Sequence, residues 1–206
     1  MPSNLAAWDA KHRAAAGNGP AEPASIVREL LPLLPHGPAL DLACGAGRHT
    51  LLLAKRSQPV TAVDGSPVAL DILAERARAE HLTVHRAIDQ EITAETRHHH
   101  VRLVQANLAR AVLPGASFAL ILCIHYLQRS LHPQIERALF PGGMLVFETH
   151  TLAQLEFAGG PRNPAFLLET GELRDAFPLL DLVFYRELRA GQGIATLLAR
   201  KPRTTK

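Results

Sequence analysis

Cysteine is scarce in this chain: Cys44 and Cys123 are the only two among 206 residues. They fit a compartment that keeps thiols reduced and read as small buried apolar residues. No Cys-x-x-Cys or His-Glu-x-x-His arrangement occurs, so no sequence signature of a metal centre is present. Long apolar runs are missing too. The longest, 118–124, falls far short of the roughly 20 residues that span a bilayer. Residues 1–19 mix charges and lack the apolar core of a secretory leader, so a cytoplasmic protein without membrane contact is expected. There is no run of five basic residues, and the net charge is only +3. Nucleic-acid binding is therefore not signalled, even at a pI near 9.2. No long polar linker divides the sequence, which is 47% hydrophobic, and one domain over 1–206 is expected.

What the chain does have is the run Ala39-Leu40-Asp41-Leu42-Ala43-Cys44-Gly45-Ala46-Gly47-Arg48, followed by Asp64 at the end of a second apolar run. This reads as a strand, a tight glycine turn and a helix start, with an acid placed to hold a ribose. A dinucleotide site uses similar parts, but its third small residue is replaced here by Thr50. Asp41 is more telling. A carboxylate beside the turn repels a pyrophosphate, which the helix N-terminus would otherwise favour, and suits a cationic amino group instead. An ammonium, a ribose and an adenine together describe S-adenosylmethionine.

With these motifs the sequence resembles the class I S-adenosylmethionine-dependent methyltransferases over nearly its whole length. Asp41 to Gly47 is similar to their first motif, and Val60-Thr61-Ala62-Val63-Asp64-Gly65-Ser66 to their second strand with its ribose acid. Leu139-Phe140-Pro141-Gly142-Gly143-Met144-Leu145 resembles the turn before their fifth strand. The resemblance implies a cofactor site built from Asp41, Ala43, Cys44, Gly45, Gly47, Arg48, Asp64, Gly65 and Ser66, with Ala106, Asn107 and Leu108 at the adenine. Relatives usually have an acid where Asn107 stands, and an amide keeps the hydrogen bonding while losing the charge. Asp89, at the end of 82–89, is a rival for that position. Ala119 replaces another common acid. His125-Tyr126-Leu127-Gln128-Arg129-Ser130-Leu131 and Pro161-Arg162-Asn163-Pro164-Ala165-Phe166-Leu167-Leu168 are similar to stretches of the small bacterial group called tellurite-resistance-like.

Apolar periodicity predicts a doubly wound, Rossmann-like α/β fold. Strands are expected at 39–43, 60–64, 101–105, 118–124, 143–149, 180–188 and 194–200, with helices at 25–34, 48–57, 67–80 and 132–139. The turn Ala190-Gly191-Gln192-Gly193 is too short for a parallel crossover. The expected sheet is thus seven-stranded and mostly parallel, with an antiparallel C-terminal strand and helices on both faces. Residues 1–24 are expected as an N-terminal helical extension or lid, and 152–168, with Gly159-Gly160 as hinge, as a lid over the acceptor.

Sites in such sheets lie beyond the carboxyl ends of the strands. Those ends leave His125, Tyr126, Arg129 and Arg162 for catalysis and acceptor binding: a base, a ring over the methyl and two anion-binding guanidinium groups. A small-molecule methyl acceptor is expected, since neither a basic face nor a recognition domain for RNA or protein is visible. A cofactor-binding module without catalysis is the alternative from another class. His98-His99-His100 lies in an apparent insertion, 89–100, where adjacent residues point to opposite faces. It reads as a solvated loop, and no metal is expected. The acceptor atom and the oligomeric state are not written in these residues.

Overall fold

The computed structural model describes residues 5–19, 21–87 and 91–203. Its order is α1 (Leu5–Ala15), α2 (Ser25–Leu30), β1 (Ala39–Leu42), α3 (Arg48–Lys55), β2 (Val60–Asp64), α4 (Pro67–Ala79), β3 (Thr83–Arg86) and β4 (His100–Gln105). There follow β5 (Phe118–Ile124), α5 (His132–Ala138), β6 (Leu139–His150), α6 (Glu172–Asp175), β7 (Asp181–Arg189) and β8 (Gly193–Arg200). The strands form one sheet in the order β3-β4-β2-β1-β5-β6-β8-β7. All neighbours from β3 to β6 are parallel, and β8 is antiparallel to both β6 and β7. The chain winds outward from β1 in one direction and then from β5 in the other. The switch point, where a crevice opens, lies between the carboxyl ends of β1 and β5.

Period-two alternation sorts the strand residues into two cores. Leu40, Leu42, Val63, Val104, Ile121, Cys123, Leu145, Phe147 and Leu197 join Ile135 of α5 and Leu173 of α6 in one. Leu120, Leu122, Ala62, Leu103 and Val146 join Leu51 and Leu53 of α3 and Leu70 and Leu73 of α4 in the other. α4 shows how such a helix is specified. Ser66 caps it by accepting the Ala69 N–H, Pro67 opens it, and Ala69, Leu70, Leu73, Ala74 and Ala77 make its buried stripe.

The sheet has eight strands, not seven. The extra one, β3, is four residues long, with no residue fully buried, so it lacks the apolar alternation that marks a strand in sequence. Its end was the rival adenine position, Asp89, which lies outside the described residues. The helix predicted over 25–34 is α-helical only to Leu30. Pro32 has no N–H to donate, and residues Leu31–Leu33 tighten into a 3-10 turn. The apparent insertion is the crossover from β3 to β4. Ile92 is buried in it, and the Thr61 hydroxyl donates to the Thr93 carbonyl at 2.8 Å. No helix among the described residues is long and apolar enough to cross a membrane.

Candidate active site

The turn after β1 is held open by backbone conformations that favour glycine. Gly45 and Gly47 have φ of 52° and 83°, and Ala43 adopts 55°. A Cβ on Gly47 would stand 2.1 Å from Leu73 Cδ1, so α4 packs against this turn only because no side chain is there. Asp64, at the end of β2, accepts the Gly45 N–H on Oδ2 and the Ser66 N–H on Oδ1, both at 2.8 Å. Its carboxylate is thereby fixed at the mouth of the turn, and each oxygen keeps a lone pair for a ribose hydroxyl. Asp41 lies beneath, fully buried, where the Thr50 hydroxyl donates to Oδ2 at 2.6 Å. Burial, against the Thr50 hydrogen bonds, raises its pKa to about 6.

β4 ends beside β2, with Gln105 in register with Asp64. Ala106 and Leu108 are buried, and Asn107 is exposed with Oδ1 accepting the Ala109 N–H at 3.0 Å. Its amide nitrogen and second lone pair are what an adenine would meet. α1 lies over the same loops. His12 Cε1 would be 3.3 Å from a Cβ on Gly45, Leu5 Cδ1 would be 3.8 Å from one on Gly65, and the Ser66 hydroxyl donates to Asp9. α1 falls within the N-terminal helical extension expected over 1–24, but Leu5, Asp9 and His12 were not singled out in the sequence. The glycine turn, the two acids, the small residues Gly65 and Ser66 and the flat edge after β4 suit a nucleoside with a cationic tail.

On the other side of the switch point β5 ends in His125, a non-glycine residue at φ 58°. Such a conformation costs about 1–2 kcal/mol and marks a place where structure is held against local preference. Its N–H donates to the Glu148 carbonyl at 2.6 Å, and its ring faces three groups. Arg48 Nη2 is 3.3 Å from Nδ1, Glu148 Oε1 is 3.6 Å from Nε2, and the His150 ring centre lies 5.2 Å away. A guanidinium only donates, so Nδ1 is the acceptor and the ring proton sits on Nε2, facing Glu148. Glu148 in turn accepts from the buried Thr196 hydroxyl at 2.7 Å. Burial works to raise its pKa, but His125 and Thr196 outweigh this and hold it below the usual value. Burial and the neighbouring His125 charge push the His150 pKa down. Tyr126 is half-buried, and burial raises its phenol to about 12.

The remaining expected groups lie farther out. Arg129 grips Glu172 with two nitrogens, Nη2 to Oε2 at 2.8 Å, and donates to the carbonyls of Ala165 and Leu167. It therefore clasps segment 152–168. Arg162 is exposed and donates to the Phe157 carbonyl at 2.8 Å; it is not brought to His125. The two ends of the segment meet, with Leu152 N–H donating to Leu168 O, and Leu168 N–H donates to His150 O at the end of β6. Gln154, buried, accepts the Gly193 N–H at 3.0 Å, meets His150 Nδ1 at 3.2 Å and donates to Gly159 O. Thr196 and Gln154 were not singled out from sequence. Both become visible only through the β6–β8 pairing, which sets Thr196 opposite Glu148 and Ile194 opposite His150. Cys44 and Cys123 are buried free thiols, each with its pKa raised by burial.

The family model described as a methyltransferase domain matches residues 39–143, about half of the chain. No curated protein matches the sequence significantly. Among solved structures, the [4+2]-cyclase SpnF superposes with a TM-score of 0.71 at 18% identity, over 98% of this chain and 97% of that one. TehB from Haemophilus influenzae gives 0.69 at 17% identity, over 87% of this chain and 62% of that one. A geranyl diphosphate C-methyltransferase from Streptomyces coelicolor, solved with Mg2+, geranyl diphosphate and S-adenosyl-L-homocysteine, gives 0.64 at 16%, over 86% and 80%. At such identities the likeness is one of fold.

Proposed function

The chain belongs to the methyltransferase-domain family, and on that premise we propose that it transfers a methyl group from S-adenosylmethionine to a small-molecule acceptor. The observation that carries this reading is the reach of Arg48. It is the first residue after the glycine turn, yet its guanidinium touches His125 at 3.3 Å. The cofactor turn and the acceptor histidine thus share one crevice at the switch point.

S-adenosylmethionine supplies a methyl already activated on a sulfonium. The task left to the chain is to hold it in line with the acceptor at about 3–3.5 Å. Asp64 takes the ribose hydroxyls, Ala43, Cys44, Gly45 and Gly47 form the turn beneath them, and Gly65 and Ser66 continue it. Ala106, Asn107 and Leu108 meet the adenine. Asp41 places negative charge under the turn for the ammonium. α1 covers the cofactor, and 152–168 covers the acceptor, with Arg129 as its clasp and Arg162 entering on closure. Tyr126, a phenol that stays protonated, excludes water above the methyl.

A hydroxyl or ammonium acceptor must lose a proton, and His125 Nδ1 receives it once the Arg48 guanidinium turns from that lone pair to the acceptor. Glu148, fixed by Thr196, faces the resulting imidazolium at Nε2, while Arg48 beside Nδ1 stabilises the anionic acceptor. A thiolate or another soft anion needs only the positioning. Within the family we place the chain in the tellurite-resistance-like group, on its 125–131 and 161–168 stretches.

The test is a methyl-transfer screen with radiolabelled cofactor against thiols, phenols, amines and oxyanions, with RNA and protein as further acceptors. Label on a small molecule, lost in His125→Ala, is the expected result. Cofactor binding with transfer to none of them would make the chain a binding module, and label on RNA or protein would overturn the small-molecule reading.

A further inference from the structure

At the β3 edge of the sheet, away from the crevice, three side chains from three separate elements converge. His85 of β3 and His100 of β4 stack with ring centres 4.9 Å apart and planes within 8°, and His85 Nε2 lies 2.8 Å from His100 Nδ1. Glu95, from the crossover between these strands, completes the set: one ligand atom of each residue lies within 4.8 Å of those of the other two. We propose that His85, Glu95 and His100 bind a borderline divalent cation, Zn2+ foremost, which ties the short edge strand and the crossover to β4. This inference stands apart from the methyl-transfer reading.

The donor set is two imidazole nitrogens and one carboxylate oxygen. That composition suits Zn2+ and its neighbours and offers too few oxygens for Ca2+ or Mg2+. The ligands are placed before any cation arrives. His100 pairs in register with Thr83, and His85 with Arg102. The Glu95 N–H donates to Thr61 Oγ1 at 2.9 Å, anchoring the crossover to β2.

Glu95 is buried, with 4% of its surface exposed. Its Oε1 accepts the Thr96 N–H, the Arg97 N–H and Arg97 Nε, whereas Oε2 accepts Arg97 Nη2 alone. A carboxylate oxygen with one partner keeps a lone pair for a cation. Ligand atoms around a tetrahedral Zn2+ stand about 3.3 Å apart at bond lengths near 2.0–2.1 Å. Binding therefore calls for the two ring nitrogens, now 2.8 Å apart, to separate slightly and for the carboxylate to close in.

Arg102, on the same face of β4 as His100, has a buried Nε without an acceptor among the described residues. An oxygen ligand in the fourth position would supply one. Arg97 and Arg102 also set the strength. Two guanidinium groups near the site oppose a cation, so micromolar affinity is expected rather than the tighter binding of a zinc finger.

The experiment uses the full chain stripped of metal by chelation. It is titrated with Zn2+ alone by calorimetry and with Co2+ alone by visible absorption. One equivalent is expected to bind with micromolar affinity, with a tetrahedral Co2+ band and a rise in Tm as Zn2+ exceeds its dissociation constant. His85→Gln and His100→Gln should each weaken binding by about tenfold or more while leaving S-adenosylhomocysteine affinity unchanged, which also reports that the variants are folded. Histidine side-chain nitrogen shifts in the wild-type protein give the same assignment without a variant: those of His85 and His100 should move on addition of Zn2+. The proposal is overturned by the absence of saturable binding, by shifts that leave these two rings unmoved, or by binding lost only in His125→Ala and His150→Ala.

Discussion

The two walls of the crevice are made by different means. On the wall formed by β1, β2 and β4 the backbone sets the geometry: left-handed turns at Ala43, Gly45 and Gly47, and main-chain N–H groups that pin both oxygens of Asp64. On the wall formed by β5 and β6, where His125 alone among the site residues has a left-handed backbone, side chains make most of the contacts: His125, Glu148 and His150 lean on one another, on Thr196 and Gln154, and on Arg48 reaching across from α3. A backbone-built site tolerates little change, which suits the cofactor of a methyltransferase domain. A site of side chains can be rebuilt one residue at a time, which suits the acceptor under the proposed reading.

The difference is sharpest at glycine. Gly47→Ala should cost roughly 3–5 kcal/mol, combining a left-handed alanine with a Cβ driven into Leu73. Gly159→Ala, at φ 74° with nothing within 4 Å of the added atom, should cost only about 1–2 kcal/mol. Thermal denaturation of the two variants checks this, and equal losses would mean that the packing of α4 on Gly47 adds nothing to the strain of its backbone.

The side-chain wall should fail in turnover and not in binding. His125→Ala is expected to lower kcat by about a hundredfold or more for a protonated acceptor, with cofactor affinity unchanged by calorimetry. Glu148→Gln should follow it in direction with a smaller loss, since the imidazolium then faces a neutral amide.

Asp64→Ala reverses the pattern. It should weaken cofactor binding by about 1.5–3 kcal/mol, the range for hydrogen bonds to a charged group. Calorimetry that finds unchanged affinity would move the nucleoside elsewhere.

The smallest effect is one of pH. Burial raises the Asp41 pKa from 3.8 to about 6, so the folded protein holds a proton that the unfolded chain releases above about pH 4. Stability from this group is full below pH 4 and is lost as pH rises through 6. A bound ammonium favours the ionised form, so cofactor affinity should rise with pH across this window, being about tenfold weaker at pH 5 than at pH 7. Asp41→Asn should flatten that profile; a slope that persists belongs to another group.

The same contrast explains what could be read in advance. Backbone demands leave marks in sequence, because a left-handed turn packed against a helix calls for glycine and a strand end beside it calls for a particular acid. The β1 turn, Asp64 and the antiparallel β8 were therefore legible. β3 was legible only in part: 82–89 resembled a strand ending in an acid, but a four-residue edge strand with no residue fully buried shows no apolar period to count it by. The Glu148–Thr196 and His150–Gln154 contacts depend on strand register, which a linear pattern does not display. Arg129 and Arg162 were legible as cations, but their partners, Glu172 and the Phe157 carbonyl, were set by where segment 152–168 folds back. His98 and His99 are exposed, as expected for a solvated loop. His100 proved different because its neighbours come from β3 and the crossover.

Gly193 carries a consequence for how the acceptor range can change over generations. A Cβ there would lie 2.2 Å from the Gln154 nitrogen and 2.5 Å from the Ala153 carbonyl carbon. Those atoms belong to the backbone and cannot rotate aside, so the base of the lid and the C-terminal hairpin can drift only together. Variation is cheapest at Gly159, where an added Cβ would meet nothing within 4 Å. A library meant to broaden the acceptors should therefore spend its diversity on 157–163 and leave 153, 154 and 193 as they are, because a side chain at 193 would displace the lid before any new acceptor was sampled.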